Sequence, residues 1–388
     1  MPQPGDDEDT FYECFDPGPA LRLPGDDDAN RTPSIMGTQP AGSILENRCY
    51  NKPSGEWLVE RFYSCVYVSD LNGHGVTNKN KADGGRMNYN DVEIYVNRSE
   101  DHGRRVDIKF RAVPKLSGLG LSTILQVWPK CSIPGQSCNF DEPFAYEQIY
   151  DNEPFEMTFT KTFDAPDSGQ VTAPQISFEM RHVSTGSGPV GSYKPAPLPY
   201  KIGNAPPLRC DSFARMRNTS DCVFNGAFPI LAFSPKYNVP EIEWHVTQAQ
   251  KSELPGASQQ SPLHKATAAE TTATRNIACK DTLAWPDRPA DGSQQCDEYP
   301  FAAAREGAQA GGSARTYHPE CGMTRGGLPL FNEDSGPVGY SVCMLSSSQN
   351  QSAGSALTWF YQKYRINDGE EFSVTSLAGT PPTPAPVS

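Results

Sequence analysis

The sequence predicts an α+β protein in which an antiparallel, β-sandwich-like domain precedes a smaller domain of mixed helix and strand. Three observations lead there. Gly (33) and Pro (36) are frequent, which favours turns and short strands over long helices. Between residues 41 and 230, runs rich in β-branched and aromatic residues alternate with Gly, Pro, Asn and Asp clusters. Helical spacing enters only in the carboxy-terminal third. A chain of 388 residues is long for one core, so two domains are expected.

The elements follow in order. Residues 1–40 carry nine acids, from Asp6 to Asp28, against Arg22 and Arg31, a net charge of −7. They show no hydrophobic periodicity, which predicts a disordered acidic tail. The β-rich domain is expected over 41–230. Trp57 to Val68 reads as one long strand, and Val92 to Val96 and Val106 to Val113 alternate apolar with polar. Leu121 to Trp128, Phe155 to Phe163 and Gln175 to Met180 complete the strand set, which predicts a sandwich. His74, His102 and His182 sit in polar surroundings and read as surface residues.

Residues 185–209, rich in Ser, Gly and Pro, read as a linker or a long loop, and 249–262 as a second loop. The second domain is expected over 231–377. Ala266 to Cys279 has helix-forming composition. In Ser355 to Tyr364, Leu357, Phe360, Tyr361 and Tyr364 recur at i, i+3, i+4 and i+7, a helical face. Asp368-Gly369 signals a turn and Glu371 to Val374 a closing strand. The Pro-rich residues 378–388 are expected to be a disordered tail.

The net charge of −13 includes no basic arm. Action on a phosphate backbone would therefore need a local, metal-assisted site rather than a cationic face. None of the eleven cysteines forms Cys-x-x-Cys, which argues against a zinc ribbon and favours disulfides. Local spacing suggests Cys49–Cys65, Cys131–Cys138, Cys210–Cys222, Cys279–Cys296 and Cys321–Cys343, with Cys14 left over. That usage implies an oxidising, secreted or extracellular setting. Met1 leads into Pro-Gln-Pro-Gly-Asp-Asp rather than a signal peptide. The expectation is a removed leader, or a fragment of a longer exported chain. No apolar run reaches the length of a membrane helix, so no membrane partner is expected.

Chemistry concentrates where Asp297 and Glu298 precede Tyr299-Pro300-Phe301 and Glu306 follows. On residue types alone two readings stand. Cys296 can be half of a disulfide, with Asp297 capping a turn, Phe301 in the core and Glu306 solvated. Alternatively the carboxylates hold a hard cation, since Mg²⁺ takes oxygen ligands and keeps several waters.

Three segments resemble the NucA/NucB-type secreted deoxyribonucleases. They are Cys296-Asp297-Glu298-Tyr299-Pro300-Phe301-Ala302 with Glu306-Gly307; Gln349-Asn350-Gln351-Ser352-Ala353-Gly354-Ser355-Ala356-Leu357 continuing to Arg365-Ile366, Asp368-Gly369 and Phe372; and Pro262-Leu263-His264-Lys265 with Arg275-Asn276 and Ala278-Cys279. The resemblance implies a metal-dependent endonuclease with a ββα-metal, His-Me finger-like core, acting on DNA with Mg²⁺ or Mn²⁺. It implies His264, where some members carry Asp, as general base, with an imidazole suited to that task near neutrality. Glu306 would be a metal ligand, and Asn350 would orient the metal water or the phosphate. Asp297 and Glu298 would organise the site, and Arg275 or Arg325 would hold phosphate. Asn350 also begins an Asn-x-Ser sequon and would otherwise cap the following helix. His245 and His318 match no motif.

Gln349 stands where the family often has Asp, Ala303-Ala304 where it often has Ser-Thr, and Ala308 where a second Gly follows. These replacements support an alternative expectation: a non-enzymatic extracellular binding or structural protein carrying a degenerate nuclease domain. A third reading is the exported end of a larger toxin, whose partner would be an inhibitor or immunity protein.

Overall fold

The structure is a computed structural model. It describes residues 11–15, 33–35, 48–49, 51–78, 83–99, 103–117, 122–142, 144–183, 193–194, 200–213, 220–233, 237–279, 292–317, 320–325, 328–329, 334–376 and 379–382; residues 11–15, 33–35, 70, 72–78, 83–87, 122–123, 182–183, 193–194, 200–201, 324–325 and 328–329 are described by backbone alone. The chain divides into two compact units, residues 1–32 with 39–227 and residues 33–38 with 228–388. Mostly sheet with helices in the second unit, the architecture is α+β.

The amino-terminal unit is all strand among its named elements. One sheet runs in the order Tyr193–Lys194, Phe11–Phe15, Tyr63–Asn78, Asp83–Arg98, Arg105–Leu116, Phe155–Thr162, with Trp57–Glu60 paired to Tyr63–Asn78. A four-stranded antiparallel sheet follows the order Tyr200–Asn204, Gln175–Val183, Ser122–Ser132, Ala145–Tyr150. Val171–Thr172, Leu208–Asp211 and Asp221–Phe224 make a three-stranded sheet. Alternation builds the core. In Arg105–Leu116 every second residue from Val106 to Leu116 is buried. Ile108 and Phe110 from the first sheet join Leu125, Val127, Phe178 and Met180 from the second in one hydrophobic cluster.

Several expectations change. The run Trp57 to Val68 is two strands, because Arg61-Phe62 form a two-residue turn that pairs Glu60 with Tyr63. Residues 185–209 are no linker where described: Tyr193–Lys194, Tyr200–Asn204 and Leu208–Asp211 all join sheets of this unit. Of residues 1–40, expected to be disordered, Phe11–Phe15 and Pro33–Ile35 are strands and the rest lie outside the described residues. Residues 383–388 of the tail also lie outside them, as do His102, His318 and the side chains of His74 and His182.

The carboxy-terminal unit has two sheets that matter for the site. One orders Leu263–His264, Glu371–Thr375, Phe228–Ala232 and Pro33–Ile35; the other orders Gln294–Tyr299, Tyr340–Ser346 and Ala314–Arg315. Three α-helices lie among its described residues: α1 (Pro240–Lys251), α2 (Ala268–Ala278) and α3 (Ser347–Lys363). Helix α1 runs into the expected second loop, so 249–251 are helix rather than loop. Its signals are Pro240 in the first turn, Glu241 and Glu243 beside it, and buried Ile242, His245, Val246 and Ala249 at helical spacing.

Helix α2 starts at a capping box, Thr267 with Glu270. Helix α3 begins eight residues earlier than its apolar face predicts, so Asn350 lies in its first turn rather than ahead of it. The polar stretch Ser346 to Gln351 has no helical face of its own, and tertiary contacts supply the start. The Glu241 carboxylate accepts the Ser346 N–H at 2.7 Å, while Gln349 Oε1 accepts the Glu241 N–H at 2.9 Å. Two helix N-termini thus satisfy each other's orphan donors. Phe360 and Tyr361 of α3 pack on Phe372, with ring centroids 5.8 and 5.4 Å apart.

The cysteines that meet lie 7 to 22 residues apart: Cys49–Cys65, Cys131–Cys138 and Cys210–Cys222 in the first unit, Cys279–Cys296 and Cys321–Cys343 in the second.

Candidate active site

His264 ends a two-residue strand and faces Glu371 of the closing strand in the antiparallel register. Its ring is held on both sides. Nδ1 lies 2.6 Å from Glu306 Oε1, and the His264 backbone N–H donates to Glu306 Oε2 at 2.8 Å. Nε2 stands 3.5 Å from Glu371 Oε1. A carboxylate only accepts, so Nδ1 carries the proton in this contact and Nε2 keeps its lone pair when the ring is neutral. The ring is about one-third exposed (35%), enough to meet a water or a substrate.

The loop carrying Glu306 is fixed from below. Arg305 N–H donates to the His264 carbonyl at 2.8 Å, and Ala266 N–H to the Ala303 carbonyl at 2.9 Å. Gly307 lets this loop touch α2, since a Cβ there would lie 2.8 Å from Thr274 Cγ2 and 3.1 Å from two backbone oxygens. Beside the dyad, Lys265 Nζ pairs with Asp368 Oδ1 at 2.5 Å and stands 5.5 Å from the Tyr361 ring centre.

The other expected site residues gather in a cleft of about 490 Å³, lined by Arg275, Asp297, Glu298 and Asn350 together with Phe301 and Tyr361. His264 and Glu306 are not among its lining residues. Burial, then the Asp297 charge, push the Glu298 carboxyl up to about 8, while Arg275 and the Ala302 N–H pull it down. That direction favours the protonated acid over the carboxylate near neutrality. Glu298 Oε2 lies 3.4 Å from the sulfur of Cys279, a disulfide sulfur with no proton to give. Asn350 Nδ2 reaches Gln295 Oε1 and the Cys296 carbonyl, each at 3.4 Å. Arg275 is exposed on α2. Arg325 lies in the Thr324–Arg325 strand, and its side chain is outside those described.

Asp297 does not turn to Arg275. Its Oδ2 lies 2.7 Å from His245 Nδ1, and His245 Nε2 lies 2.9 Å from Ser341 Oγ. His245 and Ser341 are fully buried, so this Ser-His-Asp chain cannot meet a substrate. It ties α1 to the Gln294–Tyr299 and Tyr340–Ser346 strands and fixes Asp297 in the cleft wall. His245 and Glu371 are the residues sequence reasoning missed. The helical spacing of Ile242, His245, Val246 and Ala249 could have found the first, whereas the strand pairing that brings Glu371 to His264 has no local signal. Among the described residues no group of three or more His, Cys, Asp or Glu is gathered as a metal cage.

Residues 243–375 match the family model described as Deoxyribonuclease NucA/NucB. The match is confined to the carboxy-terminal part of the chain, and His264, Glu306 and the cleft all fall within the matched residues. No curated protein and no solved structure matches the chain.

Proposed function

We propose that this protein is a secreted, metal-dependent DNA endonuclease that hydrolyses phosphodiester bonds with His264 as general base. The observation that carries the reading is the 2.6 Å contact of His264 with Glu306 inside the matched residues 243–375. His264 Nε2 takes a proton from water, and the oxygen attacks phosphorus as the P–O3′ bond breaks. Glu306 keeps the proton on Nδ1, orients the ring and stabilises the imidazolium that forms, as a carboxylate does for other catalytic histidines. Strand Leu263–His264, its partner Glu371–Thr375 and helix α3 packed on Phe372 fit a ββα-metal plan.

The residues fit a hydrated hard cation rather than a closed protein cage. An ionised carboxylate has about four lone-pair sites, and Glu306 uses one on each oxygen for His264, leaving others for a divalent ion. Glu371 adds a second carboxylate at the same ring. Mg²⁺ needs only one or two carboxylates when waters and phosphate complete its shell. Bound there, Mg²⁺ or Mn²⁺ would polarise the phosphate and stabilise the leaving oxygen. Arg275 and the Asn350 amide line the cleft, which His264 and Glu306 do not, so they are suited to hold other phosphates of a bound strand. The disulfide pairs support an extracellular location. Gln349, a departure from the family pattern, caps α1 and so need not signal a lost activity.

Plasmid incubated with purified protein and Mg²⁺ or Mn²⁺ should be nicked and linearised, and a chelator should stop it. Intact plasmid at high protein concentration with either ion contradicts the reading.

A further inference from the structure

We propose that the cleft beside the His264–Glu306 dyad is a nucleobase subsite. It takes one unpaired base of the DNA strand that is cut at the dyad, so single-stranded or locally unpaired DNA is the form of substrate the protein prefers. The occupant, DNA, is taken from the nuclease reading, on which this proposal rests. One loop joins the two places. Phe301, Ala302 and Ala303 line the cleft, and Glu306, three residues beyond Ala303, contacts His264. The Ala303 carbonyl accepts from the Tyr361 hydroxyl at 3.2 Å and from the Ala266 N–H at 2.9 Å, two residues past His264. Three residues span at most about 11 Å, so a strand with a phosphate at His264 has a neighbouring base within reach of the cleft.

Small side chains hollow the cleft. Helix α3 turns Asn350, Gly354, Leu357 and Tyr361 to it, spaced four, three and four residues apart on one face. A Cβ at Gly354 would meet nothing within 4 Å. On the loop side Ala303 stands where the family often has Ser, so this chain presents an apolar methyl there. The volume, about 490 Å³, falls among pockets for small organic ligands, roughly 300–1,000 Å³. The Cys279–Cys296 disulfide lies in the wall and ties the end of α2 to the Gln294–Tyr299 strand, which holds the cleft formed before a ligand arrives.

The lining selects a base over a phosphate. A base is flat and uncharged, apolar on its faces and polar along its edge. Phe301, Leu357 and Tyr361 supply apolar surface, and Gln295 and Glu298 supply polar groups for an edge. The Glu298 carboxyl, which burial shifts toward its protonated form, donates as well as accepts. The carboxyl groups of Asp297 and Glu298 disfavour a phosphate inside. Arg275 is the one cation lining the cleft among the described residues, and it is exposed on α2, placed for a phosphate at the rim. A paired base is stacked within its duplex and enters such a cleft only after extrusion, which penalises duplex DNA.

Binding is measured without cleavage, by fluorescence anisotropy of labelled DNA with the full chain at low salt and with chelator. A single-stranded oligonucleotide should bind at least about tenfold more tightly than the same sequence in a hairpin duplex, and than an abasic strand of equal length. A helical side chain leans toward its own N-terminus, so Gly354→Trp covers Asn350 and Gln351 and should remove the preference. Ser355→Trp, exposed on the same helix but outside the cleft, should keep it. Both positions are exposed, and both variants should melt near the wild-type temperature. Equal affinity for single strand and duplex, an abasic strand bound as tightly as the normal one, no binding to any of them, or a preference that survives Gly354→Trp overturns the inference. Plasmid cleavage in Mg²⁺ without a single-strand preference overturns this inference alone. The preference without cleavage upholds the subsite while the nuclease reading fails.

Discussion

Replacing Glu298 with Gln isolates the electrostatics of the cleft. The Glu298 carboxyl is raised from 4.5 to about 8, first by burial and then by Asp297. The folded protein therefore holds a proton that the unfolded chain releases above about pH 4.5. Between pH 4.5 and about 8 the folded state binds more protons, so stability falls as pH rises through that window and the loss is complete above it. The gap sets a ceiling of about 5 kcal/mol. The cleft admits water, which reduces the expected size to about 1–2 kcal/mol. Gln has the shape of the protonated acid and never ionises. By calorimetry of the full chain, E298Q should melt near the wild-type temperature at pH 5 and about 2–8 °C above it at pH 9. The other titrating groups are common to both proteins, so the difference reports Glu298 together with its coupling to Asp297 and Arg275. A difference that does not change with pH, or a wild type more stable at pH 9, refutes the reasoning.

Other outcomes follow from contacts already described. His245→Ala strands the buried Asp297 carboxylate and should cost about 3–5 kcal/mol in urea unfolding, against about 1–2 kcal/mol for Ser341→Ala, which removes the hydrogen bonds to His245 and the Tyr299 carbonyl. Equal losses would mean that Asp297 finds another partner. Gly307→Ala pushes a methyl against Thr274 and two carbonyl oxygens and should cost about 1–3 kcal/mol. A double variant with Thr274→Ser should recover part of that loss, and no recovery would locate the strain in the backbone contacts.

Strands with clean alternation, such as Arg105–Leu116 and Phe155–Thr162, were legible because period-two patterns record burial directly. Helix α1 was equally patterned, but Pro and loop-like residues after it masked the signal. The start of α3 was not legible, because its cap comes from Glu241, 105 residues away from Ser346. The candidate site divides the same way. His264 and Glu306 lie 42 residues apart, and no local period links them; only the resemblance placed both in one site. The Asp297–His245 contact spans 52 residues and belongs to no motif, so only the fold reveals it.

The most direct measurement of the central claim is plasmid cleavage by His264→Ala with and without added imidazole, in Mg²⁺ or Mn²⁺. The substitution should lower the rate about 10²–10⁴-fold. Free imidazole should restore part of it, while a folded Glu306→Ala variant, which lacks the orienting carboxylate but keeps the ring, should show no such rescue. Wild-type cleavage by His264→Ala, or identical responses to imidazole in the two variants, would contradict His264 as the base.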